Sequence, residues 1–241
     1  MSKPTPLRST RDDVNFGIVV FPGSNCDYDV YWGLKNDLGY PVRFLWHRQR
    51  DLEGCDVIVL PGGFAHGDYL RAGAIARFSP IMEAVVEHAR QGRPVIGICN
   101  GFQVLTEIGL LPGALLRNES LRFAHGPVYL RVENVQTPFT SGYQPGQVIQ
   151  VPIAHGQGRY YAPPEVLAGL EDEQRVLFRY CDASGRISPE ANPNGSLHHI
   201  AGLVSANGRV MGMMPHPERR MNSRLGGSDG LALFQSLAQA A

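Results

Sequence analysis

Pro94-Val95-Ile96-Gly97-Ile98-Cys99-Asn100-Gly101-Phe102-Gln103 joins a short apolar run to a helical one through a single thiol. The apolar run reads as a buried strand, and Gly101 lets a helix begin at once. A side chain at so sharp a strand-to-helix turn stands out of the sheet at the mouth of a helix, as a nucleophile elbow requires. The positive end of that helix favours the reactive thiolate. A thiol nucleophile also needs a proton acceptor. Pro215-His216-Pro217-Glu218 supplies an imidazole with a carboxylate two residues on.

Working outward from Cys99, the same strand-then-helix alternation recurs. Asn15 to Phe21 is a continuous apolar run, expected of a strand covered on both faces. Pro22-Gly23-Ser24-Asn25 breaks it. Asp27 is placed to cap a helix over Tyr28 to Leu38, closed by Gly39. Pro41 to Trp46 and Asp56 to Leu60 are further strands, the second ended by Pro61-Gly62-Gly63. Pro80 to Arg90 carries apolar residues at helical spacing, with Pro80 suited to a first turn. Gly92 ends it, Pro94 to Ile98 is the next strand, and Gly101 to Ile108 the next helix. Such alternation predicts an α/β fold with a doubly wound, mostly parallel sheet and helices on both faces. Ligands bind beyond the carboxyl ends of such strands, where Gly62-Gly63 and Cys99 both fall.

Beyond residue 110 the pattern changes. Pro127 to Glu133, Gln147 to Ala154 and Arg175 to Tyr180 read as strands between Gly/Pro-rich loops. Ile200 to Ser205 and Arg209 to Met214 flank Ala206-Asn207-Gly208, a hairpin signal. These strands predict an antiparallel extension of the same sheet. Asp182 to His199 is polar and reads as a long loop, and Gly230 to Ala240 as a C-terminal helix. The organisation expected is a frayed tail over 1–13 and a single domain over 14–241.

Composition narrows the function. The chain has 241 residues, 43% apolar, with 22 basic and 22 acidic side chains. A neutral balance without a Lys/Arg block argues against nucleic acid or a membrane surface as the main partner. No stretch is apolar enough to cross a bilayer, and Met1 to Asp13 lacks a signal core. Cys26, Cys55, Cys99 and Cys181 are scattered without a CxxC pair, so neither a disulfide framework nor a metal site is expected. The default is a cytoplasmic protein with reduced thiols.

Cys26, Cys55 and Cys181 read as small buried hydrophobes. His216 and Glu218 follow a strand, and alternation along an extended segment sends both to one side, with Pro215 and Pro217 stiffening it. Cys99, His216 and Glu218 together have the logic of a triad for acyl transfer. Gly63 at the end of the third strand and Asn100 after the thiol offer backbone N–H groups to an oxyanion. His198-His199 lacks metal-ligand spacing and reads as a solvated loop. His155, in a Gly-flanked turn, reads equally as site-lining or structural. Met211, Met213 and Met214 read as core.

Gly97-Ile98-Cys99-Asn100-Gly101-Phe102-Gln103 resembles the Gly-x-Cys-x-Gly-x-Gln elbow of the triad-type (class I) glutamine amidotransferases, and Pro215-His216-Pro217-Glu218 resembles their His-x-Glu segment. Val19 to Asp27, Pro61 to Gly73 and Pro152-Ile153-Ala154-His155-Gly156 are similar to the glutaminase subunits of phosphoribosylformylglycinamidine synthase. The likeness runs from Asn15 to the C-terminus and implies a flavodoxin-like fold. It further implies that Cys99 attacks the side-chain amide of glutamine, forming a thioester and releasing ammonia. His216 would move protons, Glu218 orient it, Gly63 and Asn100 hold the oxyanion, and Gln103 help seat the substrate. Ammonia would pass to a large synthase subunit that uses ATP and magnesium to make the amidine in purine biosynthesis, with a small third subunit bridging the two. No cofactor is implied in this chain, which has no phosphate-binding Gly-x-x-x-x-Gly-Lys-Ser/Thr loop. Loops around Gln136 to Gln147 and Asp182 to His199 look longer than in compact members. A stand-alone γ-glutamyl hydrolase or peptidase, and a silent regulatory module, are the competing readings.

Overall fold

A computed structural model describes residues 14–241, so the expectation for 1–13 lies outside the described residues. A nine-stranded sheet runs through the molecule. Its parallel half contains β1 (Phe16–Val20), β2 (Val42–Trp46), β3 (Val57–Leu60) and β4 (Val95–Ile98). Strands β3 and β4 are buried along their whole length, and β1 along all but its last residue, as unbroken apolar runs covered on both faces must be. Helices α1 (Asp27–Trp32), α2 (Ile81–Arg90) and α3 (Asn100–Glu107) make the crossovers.

After α3 the chain forms β5 (Ala114–Leu116), then the long pair β6 (Ala124–Val132) and β7 (Val148–His155), then β8 (Arg159–Tyr161). Helix α4 (Pro164–Asp172), β9 (Val176–Cys181), β10 (Ile200–Val204), β11 (Val210–Met213) and α5 (Leu231–Gln239) complete it. The sheet order is β2-β1-β3-β4-β11-β10-β9-β6-β7. Strand β11 lies parallel to β4, while β10, β9, β6 and β7 continue antiparallel. The antiparallel half therefore extends the parallel sheet, and the Asn207-Gly208 hairpin joins β10 to β11.

Several local expectations are corrected. Cys26, not Asp27, occupies the position before α1, without a side-chain cap, and Asp27 is the first helical residue. The helix then widens into a π-helical stretch over Gly33–Asp37 before it ends. Helix α4 lies where Pro163-Pro164 and Gly169 suggested only loop, because Pro is tolerated in a first turn and Leu167 and Leu170 bury one face. Among the described residues, strands β5 and β8, three residues each, pair only with one another.

Gly101 marks where α3 meets the sheet. A Cβ there would stand 1.9 Å from the carbonyl oxygen of Leu60 at the end of β3. Backbone on the far side cannot yield as a side chain could, so helix and strand would be forced apart. Gly101→Ala is expected to cost about 3 kcal/mol or more, read by denaturant unfolding at fixed pH.

Candidate active site

Cys99 sits between β4 and α3 with φ 50° and ψ −105°. A positive φ is costly for a residue with a Cβ, on the order of 1–3 kcal/mol, and persists only where the surroundings enforce it. The enforcement is visible. The Cys99 N–H donates to Met213 O at 2.8 Å, and Gln103 N–H donates to Cys99 O at 3.2 Å. Strand β11 thus pins the turn from one side and the first turn of α3 from the other.

The same pairing brings in the imidazole. Met213 is in register with Ile98, so the chain leaving β11 emerges beside the chain leaving β4. His216 follows three residues later, its N–H donating to Pro152 O of β7 at 2.8 Å. The backbone does not stay extended there, as the sequence suggested. Pro217–Arg219 forms a single tight turn, because the fixed φ of Pro217 suits the start of a helical turn. This turn folds Glu218 back under the ring, and Glu218 Oε1 lies 2.6 Å from His216 Nδ1. Both residues are 1% exposed.

The electrostatics of the pair turn on burial against the neighbouring charges. Burial opposes a charge on His216, but the Glu218 carboxylate and then the Cys99 sulfur outweigh it. The imidazole therefore holds its proton well above the ordinary histidine range. His216 Nε2 makes no hydrogen bond of full geometry, while the thiols of Cys99 and Cys26 both lie within its electrostatic reach. Cys99 Sγ meanwhile donates to Ala154 O at 3.7 Å.

In front of Cys99 lies a cleft of about 110 Å³, lined by Gly63, Gln103, Phe123, His155 and Gln157 among others. Gly63 has φ 141°, and a Cβ on it would meet Asn25 N at 2.8 Å, so only glycine fits this wall. Asn100 is the first residue of α3, where a backbone N–H has no intrahelical acceptor. Its side chain is committed to the loop over the cleft. Ala65 N–H donates to Asn100 Oδ1 at 3.0 Å, and Asn100 Nδ2 donates to Asp68 and Gln103. Gln103 lines the cleft, but its amide nitrogen is already given to Gln157 O at 2.6 Å. Its evident work is to hold the 156–158 turn against α3.

Other residues separate clearly. Cys55 and Cys181 are buried, and burial pushes each thiol up to about 11, which leaves them unreactive. Cys26 is equally buried but is not merely packing, because Arg219 Nη2 donates to its sulfur at 3.1 Å and it faces His216. Sequence alone missed this contact, since Cys26 and Arg219 lie at opposite ends of the chain. His155 lines the cleft and is also structural: Asn118 Oδ1 lies 3.1 Å from its Nδ1, and burial drives its pKa down to about 4. His198 pairs with Glu171 at 2.8 Å on the surface. Met211, Met213 and Met214 are core. The 182–199 loop is not solvent-filled: buried Asn194 donates to Gly158 O at 2.9 Å and so supports the cleft's far wall. The 136–147 loop is fastened to the C-terminal segment, with Gly142 N–H donating to Ser236 Oγ at 2.8 Å.

Comparison with known proteins agrees with this geometry. The family model of the CobB/CobQ-like glutamine amidotransferase domain matches residues 13–225. A protein of Synechocystis, phosphoribosylformylglycinamidine synthase subunit PurQ, is 59% identical over 222 residues, covering 92% of this chain and 99% of the relative. The protein of the same name from Salinibacter ruber is 58% identical over 222 residues, covering 92% and 94%. Among solved structures, a chain of PurLQS from Thermotoga maritima superposes with a TM-score of 0.83 at 41% identity, covering 94% of this chain and 98% of that one. An elbow cysteine beside a buried His–Glu pair, on a sheet shared with these proteins, places the chain in the CobB/CobQ-like glutamine amidotransferase family, among the PurQ subunits of phosphoribosylformylglycinamidine synthase.

Proposed function

We propose that Cys99 is the nucleophile that hydrolyses glutamine, with His216 as proton carrier and Glu218 as the group that orients and charges it. Its proton passed to His216, the Cys99 sulfur attacks the side-chain carbonyl carbon of glutamine, and the C–S bond forms as the carbonyl π pair moves onto oxygen. Collapse of that intermediate breaks the C–N bond, and His216 delivers the proton with which nitrogen leaves as ammonia. Water, deprotonated by His216, then attacks the thioester and releases glutamate and the thiol. Gly63, which lines the cleft with Cys99, and Asn100, the first residue of α3, are assigned to the oxyanion through their N–H groups. Gln103 shapes the substrate wall through Gln157. No step calls for a metal or a cofactor in this chain.

The ammonia is consumed by a synthase subunit that converts formylglycinamide ribonucleotide to its amidine in cytoplasmic purine biosynthesis, using ATP and magnesium there. This chain, one amidotransferase domain over residues 14–241, works in a complex with that subunit and a small third one. The names of the relatives support this reading over a stand-alone hydrolase. The intact His216–Glu218 pair supports it over a silent module.

The observation that carries the assignment is Cys99 on its strained turn facing an imidazole already bonded to a buried carboxylate. The test is a glutamine analogue bearing an electrophile at the γ-carbon, incubated with the assembled complex. Peptide mass mapping is expected to find one adduct, on Cys99, blocked by excess glutamine. An adduct on Cys26 instead, or none, would refute the assignment.

A further inference from the structure

Against His216 the structure brings a second thiol, Cys26, into the buried charge cluster. Cys26, His216 and Glu218 offer a sulfur, an imidazole nitrogen and a carboxylate oxygen that all lie within 4.8 Å of one another, and all three residues are buried. They arrive from separate places. Cys26 precedes α1, and the other two come from the turn after β11. Gly62 closes the space, since a Cβ there would stand 2.8 Å from His216 Cε1 and 3.0 Å from Cys26 Sγ.

Two further observations point to a ligand. His216 Nε2 and Glu218 Oε2 are buried polar atoms without a hydrogen-bond partner. Such atoms are rare in folded proteins and need a reason. Acid–base work accounts for Nε2, but it leaves a buried carboxylate oxygen unaccounted for. The thiol, moreover, is held in place by a second layer. Arg219 donates to its sulfur, and Asp29 in turn holds Arg219 at 2.9 Å. A guanidinium donating to sulfur fixes where that sulfur sits, and partners of this kind orient metal ligands.

We propose that Cys26, His216 and Glu218 form a binding site for a thiophilic divalent cation, zinc in the first instance, whose occupation switches the enzyme off. One sulfur, one nitrogen and one carboxylate oxygen suit zinc and exclude magnesium or calcium, which take oxygen ligands. Zinc–ligand bonds of about 2.0–2.3 Å set tetrahedral ligands roughly 3.5 Å apart. The cluster thus needs only a small contraction. On binding, the Cys26 thiol and the His216 imidazolium each give up one proton to solvent, and a water completes the fourth position. Glu218 lies at the Nδ1 edge of the ring, 2.6 Å away, so a cation shared by His216 and Glu218 takes Nδ1. That confines the remaining proton to Nε2, so that no base faces the nucleophile.

The distinctive feature is that Cys99 is not among the ligands, and cobalt(II) tests this without reference to glutamine. Titrating the full-length chain with cobalt(II) is expected to produce a sulfur-to-cobalt charge-transfer band, displaced by one equivalent of zinc. Cys99→Ala keeps the band. Cys26 Sγ donates to Asn25 Oδ1 at 3.3 Å and accepts from Arg219, so Cys26→Ser retains a hydrogen-bonding group toward both; it loses the band and weakens zinc binding by roughly 100-fold. In the assembled complex, zinc inhibition of glutamine hydrolysis weakens by the same factor in Cys26→Ser. Absence of the band in the native protein overturns the proposal. So does a band lost in Cys99→Ala and kept in Cys26→Ser, which would place the metal on the nucleophile.

Discussion

Replacing Cys99 with Ala is expected to abolish glutamine-dependent amidine synthesis by the assembled complex while leaving synthesis from added ammonium at its native rate. The loss should be about 10⁴-fold or more, since no other group can take the sulfur's place and members of a triad fail as a unit. The second activity is the control that matters. It depends on the synthase subunit, which takes this ammonia from solution, so its survival shows that only the supply from glutamine has been cut. Loss of both activities would mean that Cys99 does not serve that supply alone, against its assignment as nucleophile. Stability adds an independent readout. Cys99 carries φ 50°, which alanine must bear equally, whereas glycine adopts it without strain. Cys99→Gly should therefore unfold at higher denaturant than Cys99→Ala, by about 1 kcal/mol. Equal midpoints would show that the elbow stores no strain.

Glu218→Gln tests the other half of the site. The amide matches the carboxylate in shape and still accepts a hydrogen bond from His216 Nδ1, so the change removes charge and little else. Glutamine hydrolysis should fall on the order of 10³-fold. The charge on Glu218 is a principal reason that His216 keeps its proton to high pH. Without it the His216 limb of the pH–rate profile moves to lower pH. The sign for stability follows from linkage. A histidine whose pKa is raised on folding stabilises the native state fully below its unfolded value, near 6.5. That contribution fades as the pH rises through the higher folded value. The stability difference between native protein and Glu218→Gln should accordingly be largest below about pH 6.5 and shrink above it. A difference that widened toward alkaline pH would show that Glu218 does not charge the ring. Urea unfolding at a series of pH values measures it.

Local chemistry made much of this legible. An apolar run ending in a thiol and a glycine can hardly be other than a strand, a sharp turn and a helix, and the structure has β4, Cys99 and α3 there. The Asn-Gly hairpin, the unbroken apolar strands and the His-x-Glu pair likewise declare themselves within ten residues. What went unread lacks a local signal. Helix α4 was masked by two prolines and a glycine. The three-residue strands β5 and β8 exist only by pairing across a long separation. The extended course drawn through Pro217 was wrong, because proline fixes φ alone and leaves the ψ that decides between strand and turn.

The amino-acid order by itself determined the fold class, the elbow and the three side chains proposed to react, because each is set by neighbours close along the chain. Only the tertiary structure decided that β11 lies parallel to β4, and hence that the two carboxyl ends bring Cys99 and His216 side by side. It alone set Cys26 against the imidazole from near the opposite end of the chain. The physical reason is common to both. Strand order and side-chain convergence are settled by burying the whole sheet at once, and no single segment carries that information.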